Sequence, residues 1–341
     1  GNAGSQSATL VIRALSTGTL QLCGRDLARV LGRELLVSGA LGAVVALLEG
    51  LLAWARPDPS NELAFYGGSF TALPMDRQRA LLELAETYRA RGLFGPLRLS
   101  TRPDAITLEI LALLREHQVE TIELGAQSLD DRVLAAARRG HTGAQVREAS
   151  QLIRQEGFRL GLQLMVGLPG QGEESLAATC RQVVEIHPDL VRIYPVLVIA
   201  GTPLAELWRQ GSYRALTVDE AAAACWPLYH AFTRAGIRVI RMGLQPDREL
   251  CAPGHILAGP FHPAFGEKVK SWGIGQQVLR KIAEQPSGNY NMVITCPDKM
   301  ASLVQGQHRS NVRLWEQTGK VRVFFQTGET FEVMFHDRKT L

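Results

Sequence analysis

The residues best placed for chemistry in this sequence are small and polar, and they recur where extended runs end. Gly67-Gly68 follows the extended run 62–65 and precedes an amphipathic helical stretch. A glycine turn between a strand and a helix lets backbone N–H and C=O groups approach a small ligand with no side chain in the way. The same pair also reads as a tight turn that needs positive φ. Ser100-Thr101-Arg102 closes a second run, 97–101, and arginine offers a planar donor fork matched to a carboxylate. Alternatively, Ser100-Thr101 caps the turn that follows. Glu123 to Ser128 closes a third run, and Arg139-Gly140-His141 lies one short helix later. His141 reads most simply as a loop histidine bonding its own backbone. His255 and His262 lie in a Gly/Pro-rich stretch without metal-ligand spacing.

The five cysteines, Cys23, Cys180, Cys225, Cys251 and Cys296, are widely separated and form no CxxC pair. Such spacing argues against a disulfide framework and for a reducing, cytoplasmic setting. The residues themselves assign no catalytic group and no metal ligand.

The elements that must position these residues alternate in type. Extended runs at 62–66, 97–101, 119–124, 160–166, 190–196 and 237–242 are separated by single helical stretches. A run at 8–14 is a candidate for a first strand. Asp76 is expected to cap a helix through Arg91 that stops at Gly92. Thr142 with Gln145, and Thr217 with Glu220, have the spacing of capping boxes. Strands joined by single helices imply right-handed crossovers and a parallel sheet, hence an α/β fold built as a partial (β/α) barrel. In such barrels ligands bind at the C-terminal ends of the strands. Gly67-Gly68, Ser100 to Arg102, Gly125 to Ser128, the turn from Gly167 to Gly170, and Pro195 all fall there. After residue 285 the pattern changes to a strand (292–295), one helix (300–315) and two strands (321–326 and 330–335). The turn Thr327-Gly328-Glu329 predicts that the last two form a hairpin. The expected organisation is thus an atypical segment 1–41, a barrel 42–285 and a small α+β module 286–341.

Taken in order, Phe65 to Thr71 (FYGGSFT), Leu99 to Asp104 (LSTRPD), Ile122 to Ser128 (IELGAQS), Arg139 to Thr142 (RGHT), Met165 to Gly170 (MVGLPG) and Arg192 to Thr202 carry a resemblance. The chain resembles the radical S-adenosylmethionine (SAM) core of the elongator catalytic-subunit family, especially its bacterial relatives without an acetyltransferase domain. Ala258 to Gly266 and the small tail are similar too. The resemblance runs from about Gly42 to the C-terminus and implies a radical-SAM-type barrel that cleaves SAM reductively and acts on a substrate such as tRNA or another RNA. It implies that Gly67 and Gly68 meet the amino group of the SAM methionine through backbone carbonyls, with Ser69 beside them. Ser100 and Arg102 would meet the methionine carboxylate or the ribose. Glu123 and Gln127 would face the barrel mouth and bond the ribose or a substrate, with Arg139 completing the cofactor-binding set. On its residue type alone, Glu123 reads equally well as a buried carboxylate paired with Arg102 or Arg139.

One part of the pattern is missing. The family holds a [4Fe–4S] cluster by three thiolates in Cys-x3-Cys-x2-Cys, in the loop after the first strand, and thiolate is the ligand such clusters require. Here the corresponding stretch, about 15–26, contains Cys23 alone. The resemblance fades upstream of about Gly42, which points to a segment that is not the family's own. The alternative is a cluster-free barrel that binds SAM, a nucleotide or RNA without redox catalysis.

Composition narrows the partners. A net charge of +4 spread as arginines along helices permits RNA contact but reads first as a solvated surface. Residues 35–54 are nearly all apolar, enough to span a bilayer. Glu49 and the glycines at 39, 42 and 50 argue instead for a buried helix at about 42–55, so no membrane partner is expected.

Overall fold

A computed structural model of the chain describes residues 60–66, 68–246 and 250–338. The candidate first strand at 8–14, the loop at 15–26 and the apolar stretch 35–54 lie outside the described residues. Within them, no helix is long and apolar enough to cross a membrane.

Six strands form one parallel half-barrel sheet in the order β1-β2-β3-β4-β5-β7. They are β1 (Leu63–Phe65), β2 (Leu97–Thr101), β3 (Val119–Gln127), β4 (Arg159–Val166), β5 (Leu190–Pro195) and β7 (Arg238–Met242). Each matches an extended run expected from the sequence, with boundaries moved by a residue or two except in β3, which extends through Gln127. The intervening helices are α1 (Met75–Ala90), α2 (Leu108–Glu116), α3 (Asp131–Ala136), α4 (Gly143–Gln155), α5 (Glu173–Ile186), α6 (Pro203–Arg209) and α7 (Val218–Arg234). A short antiparallel pair, β6 (Val198–Ile199) and β8 (Ile256–Ala258), branches from the loops after β5 and β7.

The helix starts follow local chemistry. Thr142 accepts from the Gln145 N–H while the Gln145 side chain reaches back to the Thr142 N–H, and Thr217 and Glu220 do the same for α7. Each box satisfies two of the N–H groups a helix start leaves bare. At α1 the cap position is Pro74, and Asp76 lies in the first turn, where its charge favours the positive end of the helix.

The chain divides into two compact units. One holds β1, β2, β3, α1, α2, α4 and the start of β4, through residues up to Asp131, Arg139–Gln163 and Pro188–Leu190. In it, Leu97, Leu99, Ile122, Leu124, Leu160 and Leu162 are all fully buried or nearly so, and alternate along their strands with polar residues. Period-two alternation puts those apolar side chains on one face and Arg98, Ser100, Thr121 and Glu123 on the other.

The other unit carries the rest, ending in α8 (Phe265–Ala283), β9 (Tyr290–Cys296), α9 (Asp298–Gln305), α10 (Ser310–Glu316), β10 (Val321–Thr327) and β11 (Glu332–Asp337). The ring of Trp226 from α7 overlaps the place where a Cβ on Gly273 of α8 would sit. Only glycine permits that approach. Ile274, Val278 and Ile282 of α8 pack with Met292, Ile294, Val312, Trp315, Val321 and Val323 into one core. Buried Asn311 donates to the Ser271 and Val304 carbonyls, and the Trp315 indole to the Gly275 carbonyl at 2.9 Å.

Two expectations for this tail fail. The single helix at 300–315 is broken, because Gly306, His308 and Arg309 have φ of 74°, 52° and 60° and turn the chain between α9 and α10. The hairpin is absent as well. β9 lies between the two last strands, parallel to β10 and antiparallel to β11. The central strand supplies the most deeply buried residues, Met292 and Ile294, and this order lets Val321 and Val323 on one side and Val333 and Phe335 on the other share that core.

Candidate functional site

The strand ends of the first unit gather most of the residues singled out above. Register aligns Ser100 of β2 with Glu123 of β3, and Arg98 with Thr121, so all four project from one face. Glu123 is 2% exposed. It accepts from the Tyr66 hydroxyl at 2.6 Å and from Arg98 at 2.8 Å, and Arg98 also bonds Glu62 at 2.7 Å. Glu123 therefore pairs with Arg98, not with Arg102 or Arg139. Burial pulls the Arg98 guanidinium down, but its bond to Glu62 and the charges of Tyr66 and Glu123 outweigh this, leaving its pKa above the ordinary value. Sequence reasoning missed Arg98. The available signal was its place two residues before Ser100, on the same face of the strand.

Glycine makes room for this carboxylate. A Cβ on Gly161 of β4 would stand 2.7 Å from both Glu123 Cγ and Leu190 Cδ1. Along the same face, the Nε of Arg98 and the hydroxyl of Thr121 are buried with no hydrogen-bond partner among the described residues. Unsatisfied buried donors of this kind call for water or a polar ligand.

Gln127 ends β3 in a rare conformation. Its φ is +64°, and the Ser128 N–H donates to the Ala126 carbonyl at 2.7 Å, closing a three-residue turn around it. Non-glycine residues enter such turns at a cost, and they concentrate at functional sites. The Gln127 side chain is buried and accepts from Gln163 at 3.4 Å. His141 braces the same turn. Its ring nitrogen meets the Ala126 carbonyl at 3.0 Å, so the histidine bonds a distant strand end and not its own loop.

Arg102 and Arg139 form the charged rim. Arg102 grips Asp104 with two bonds, of 2.8 and 2.6 Å, and this raises the arginine's pKa. Burial would raise the Asp104 carboxyl, but the Arg102 bond and charge carry it below its ordinary value. Arg139 keeps much of its surface in solvent, yet desolvation by the surrounding protein and then the nearby Arg102 charge push its pKa down. Two neighbouring cations, of which only Arg102 is shown paired with an acid, suit an added anion. Thr101 does not cap the turn after it; its hydroxyl meets that of Thr71 at 2.5 Å. Ser69 is half-buried and opens the short turn Phe70–Ala72, while Gly68 is exposed. Gly67 lies outside the described residues.

The site thus brings Ser100, Glu123 and Gln127 onto the strand ends, and Arg102 and Arg139 together at the rim. None of the cysteines among the described residues belongs to this set. Cys180, Cys225, Cys251 and Cys296 are free thiols on separate elements, and burial pushes Cys225 up to about 12. Among the described residues, no group of three His, Cys, Asp or Glu could hold a metal ion.

A parallel half-barrel with a buried polar face defines the chain as an α/β protein, of a fold in which ligands sit at the C-terminal strand ends. A profile described as Radical SAM superfamily matches residues 44–183, and one described as Radical_SAM C-terminal domain matches 188–272. The chain belongs to the radical SAM superfamily, whose members generally bind SAM and a [4Fe–4S] cluster. A third profile, described as Divalent cation transporter, matches residues 1–74.

Among individual relatives, the tRNA uridine(34) acetyltransferase of Methanocaldococcus jannaschii is 34% identical over 196 residues, 52% of this chain and 36% of that protein. Protein YhcC of Escherichia coli K12 is 32% identical over 128 residues, 36% of this chain and 41% of that one. The structure of Methanocaldococcus infernus Elp3 with an N-terminal deletion superposes with a TM-score of 0.57 at 25% identity, covering 70% of this chain and 58% of the other. The chain therefore spans less than half the length of these curated relatives.

Proposed function

We propose that the half-barrel binds SAM along the face of Ser100, Glu123 and Gln127, and that the chain descends from radical SAM enzymes acting on RNA, tRNA in particular. The observation that carries the reading is the register alignment of half-buried Ser100 with buried Glu123, beside unsatisfied Arg98 and Thr121 atoms. Arg102 and Arg139 would hold the methionine carboxylate. Gly68 and Ser69, with Gly67, would meet its amino group. The relatives named for tRNA uridine(34) support the RNA reading. When bound, SAM supplies a reactive sulfonium. The residues of this chain bind and orient it.

The cluster is another matter. No Cys-x3-Cys-x2-Cys occurs in the sequence, and the described cysteines lie apart. The residues present do not fit a [4Fe–4S] cluster, and no redox step is assigned to them. This favours a second reading for the polypeptide as it stands: a cluster-free barrel that binds SAM, a nucleotide or RNA. Residues 1–41 are then foreign to the family, 42–285 form the barrel, and 286–341 form a small α+β module whose core α8 completes. Free thiols throughout the described chain support a cytoplasmic setting.

Calorimetric titration with SAM, paired with iron and sulfide analysis after anaerobic reconstitution, tests both. SAM binding that Glu123→Gln weakens, without iron, supports the binding barrel. A reconstituted cluster would restore the redox enzyme. Failure to bind SAM overturns both SAM readings.

A further inference from the structure

The small sheet carries a solvent face that the core does not use. Alternation turns Val321, Val323, Met292, Ile294, Val333 and Phe335 toward the helices, so the intervening residues face outward. The registers order those residues into three rows across β10, β9 and β11. The first row is Arg322, Asn291 and His336. Phe324, Val293 and Met334 form the second, and Gln326, Thr295 and Glu332 the third.

The middle row is unusual. Phe324 is 42% exposed and Met334 40%, and they are two of the three exposed large hydrophobic residues among those described. The Arg322 guanidinium lies 5.6 Å from the centre of the Phe324 ring. Lys320 and Arg338 flank the same end of the sheet, since Tyr290 N–H donates to the Lys320 carbonyl and Arg338 N–H to the Asn289 carbonyl. Asp337, the acid at that end, is in register with Tyr290 and so falls on the other face. At the far end, Glu332 accepts from Thr330.

We propose that this face docks a single-stranded segment of RNA, with an unpaired base stacked on Phe324 and its phosphate held by Arg322, beside His336. The inference rests on the RNA reading of the barrel given above. Aromatic side chains on a sheet, beside basic groups, accept unpaired bases because every base has a π face. Positive charge at one end complements the backbone phosphates. Asn291 adds an amide group able to bond a base edge, and Gln326, whose amide nitrogen donates to the Thr295 hydroxyl, adds its side-chain carbonyl. A protein partner fits less well, because the apolar strip is one row wide and bounded on both sides by polar rows.

The test uses the full chain and a labelled single-stranded RNA of about a dozen nucleotides, a length in the range such sites cover. The matching RNA duplex serves for comparison. Binding is followed by fluorescence anisotropy over a salt series, without SAM, and SAM affinity is measured separately. We expect the single strand to bind more tightly than the duplex. Phe324→Ala should weaken binding about tenfold or more, with Phe324→Tyr restoring most of it. Arg322→Ala should weaken binding and reduce the log–log salt slope by about 0.7. Thermal unfolding and SAM affinity should be unchanged in all three.

RNA affinity unaffected by both Phe324→Ala and Arg322→Ala overturns the proposal, as does failure of the unaltered chain to bind the probe. A chain that self-associates, and becomes monomeric on Phe324→Ala, would assign the face to a second copy instead. Loss of SAM binding in the unaltered chain would sink the barrel reading alone, since the RNA measurements stand without it.

Discussion

The strand ends of the half-barrel and the outer face of the small sheet solve opposite problems. In the first, charge is buried: Arg98 and Glu123 meet with side chains 8% and 2% exposed. In the second, Phe324 and Met334 stand in solvent. A buried ion pair is held by its geometry, and removing one partner leaves the other charge stranded in a poor solvent. An exposed ring contributes little to the fold and is free to change. The comparison separates residues whose substitution is read in stability from those whose substitution is read in binding.

The sharpest way to break this contrast is Arg98→Met. It leaves Glu123 and Glu62 without their cation and should cost about 3–5 kcal/mol in urea unfolding. A loss near zero would mean the network is not buried as described. Next, Gly161→Ala should cost about 1–3 kcal/mol, because its methyl must push aside Glu123 and Leu190. Circular dichroism melts would read this as a lowered midpoint with SAM affinity falling in parallel.

The rim gives a smaller effect with a pH signature. Asp104 has a folded pKa below its ordinary 3.8, so its contribution is present above that value and lost as pH falls through the folded one. Arg102 is 43% exposed, so the pair is worth at most about 1 kcal/mol. The stability difference between the unaltered chain and Asp104→Asn should therefore vanish in acid. The smallest effect belongs to Phe324→Ala, within about 0.5 kcal/mol on unfolding. A larger loss would mean that the ring serves the core after all.

Much of the half-barrel was legible because its signals are local. Six runs of apolar residues end at glycine, proline or a capping pair, and Thr142 with Gln145 sets a helix start without help from anything distant. The tail was less legible because its order is decided at long range. Two strands four residues apart read as a hairpin, and nothing nearby in sequence announces that β9 takes the place between them. The break after α9 had a local sign in Gly306, but the left-handed turns at His308 and Arg309 did not. At the site, residue types pointed to Glu123 and Gln127, while Glu123's partner was hidden: Arg98, in register with Thr121, reaches that carboxylate diagonally along the same face.

The placement of β9 has a consequence for the growing chain. The strand at the middle of the small sheet is the first of the three to be synthesised, and both of its edges need later sequence to cover them. Until β10 and β11 arrive, its N–H and C=O groups form an open template on either side. Once the ribosome has released β9 but not yet β10 and β11, this segment is at its most adhesive, and chaperone capture should concentrate there.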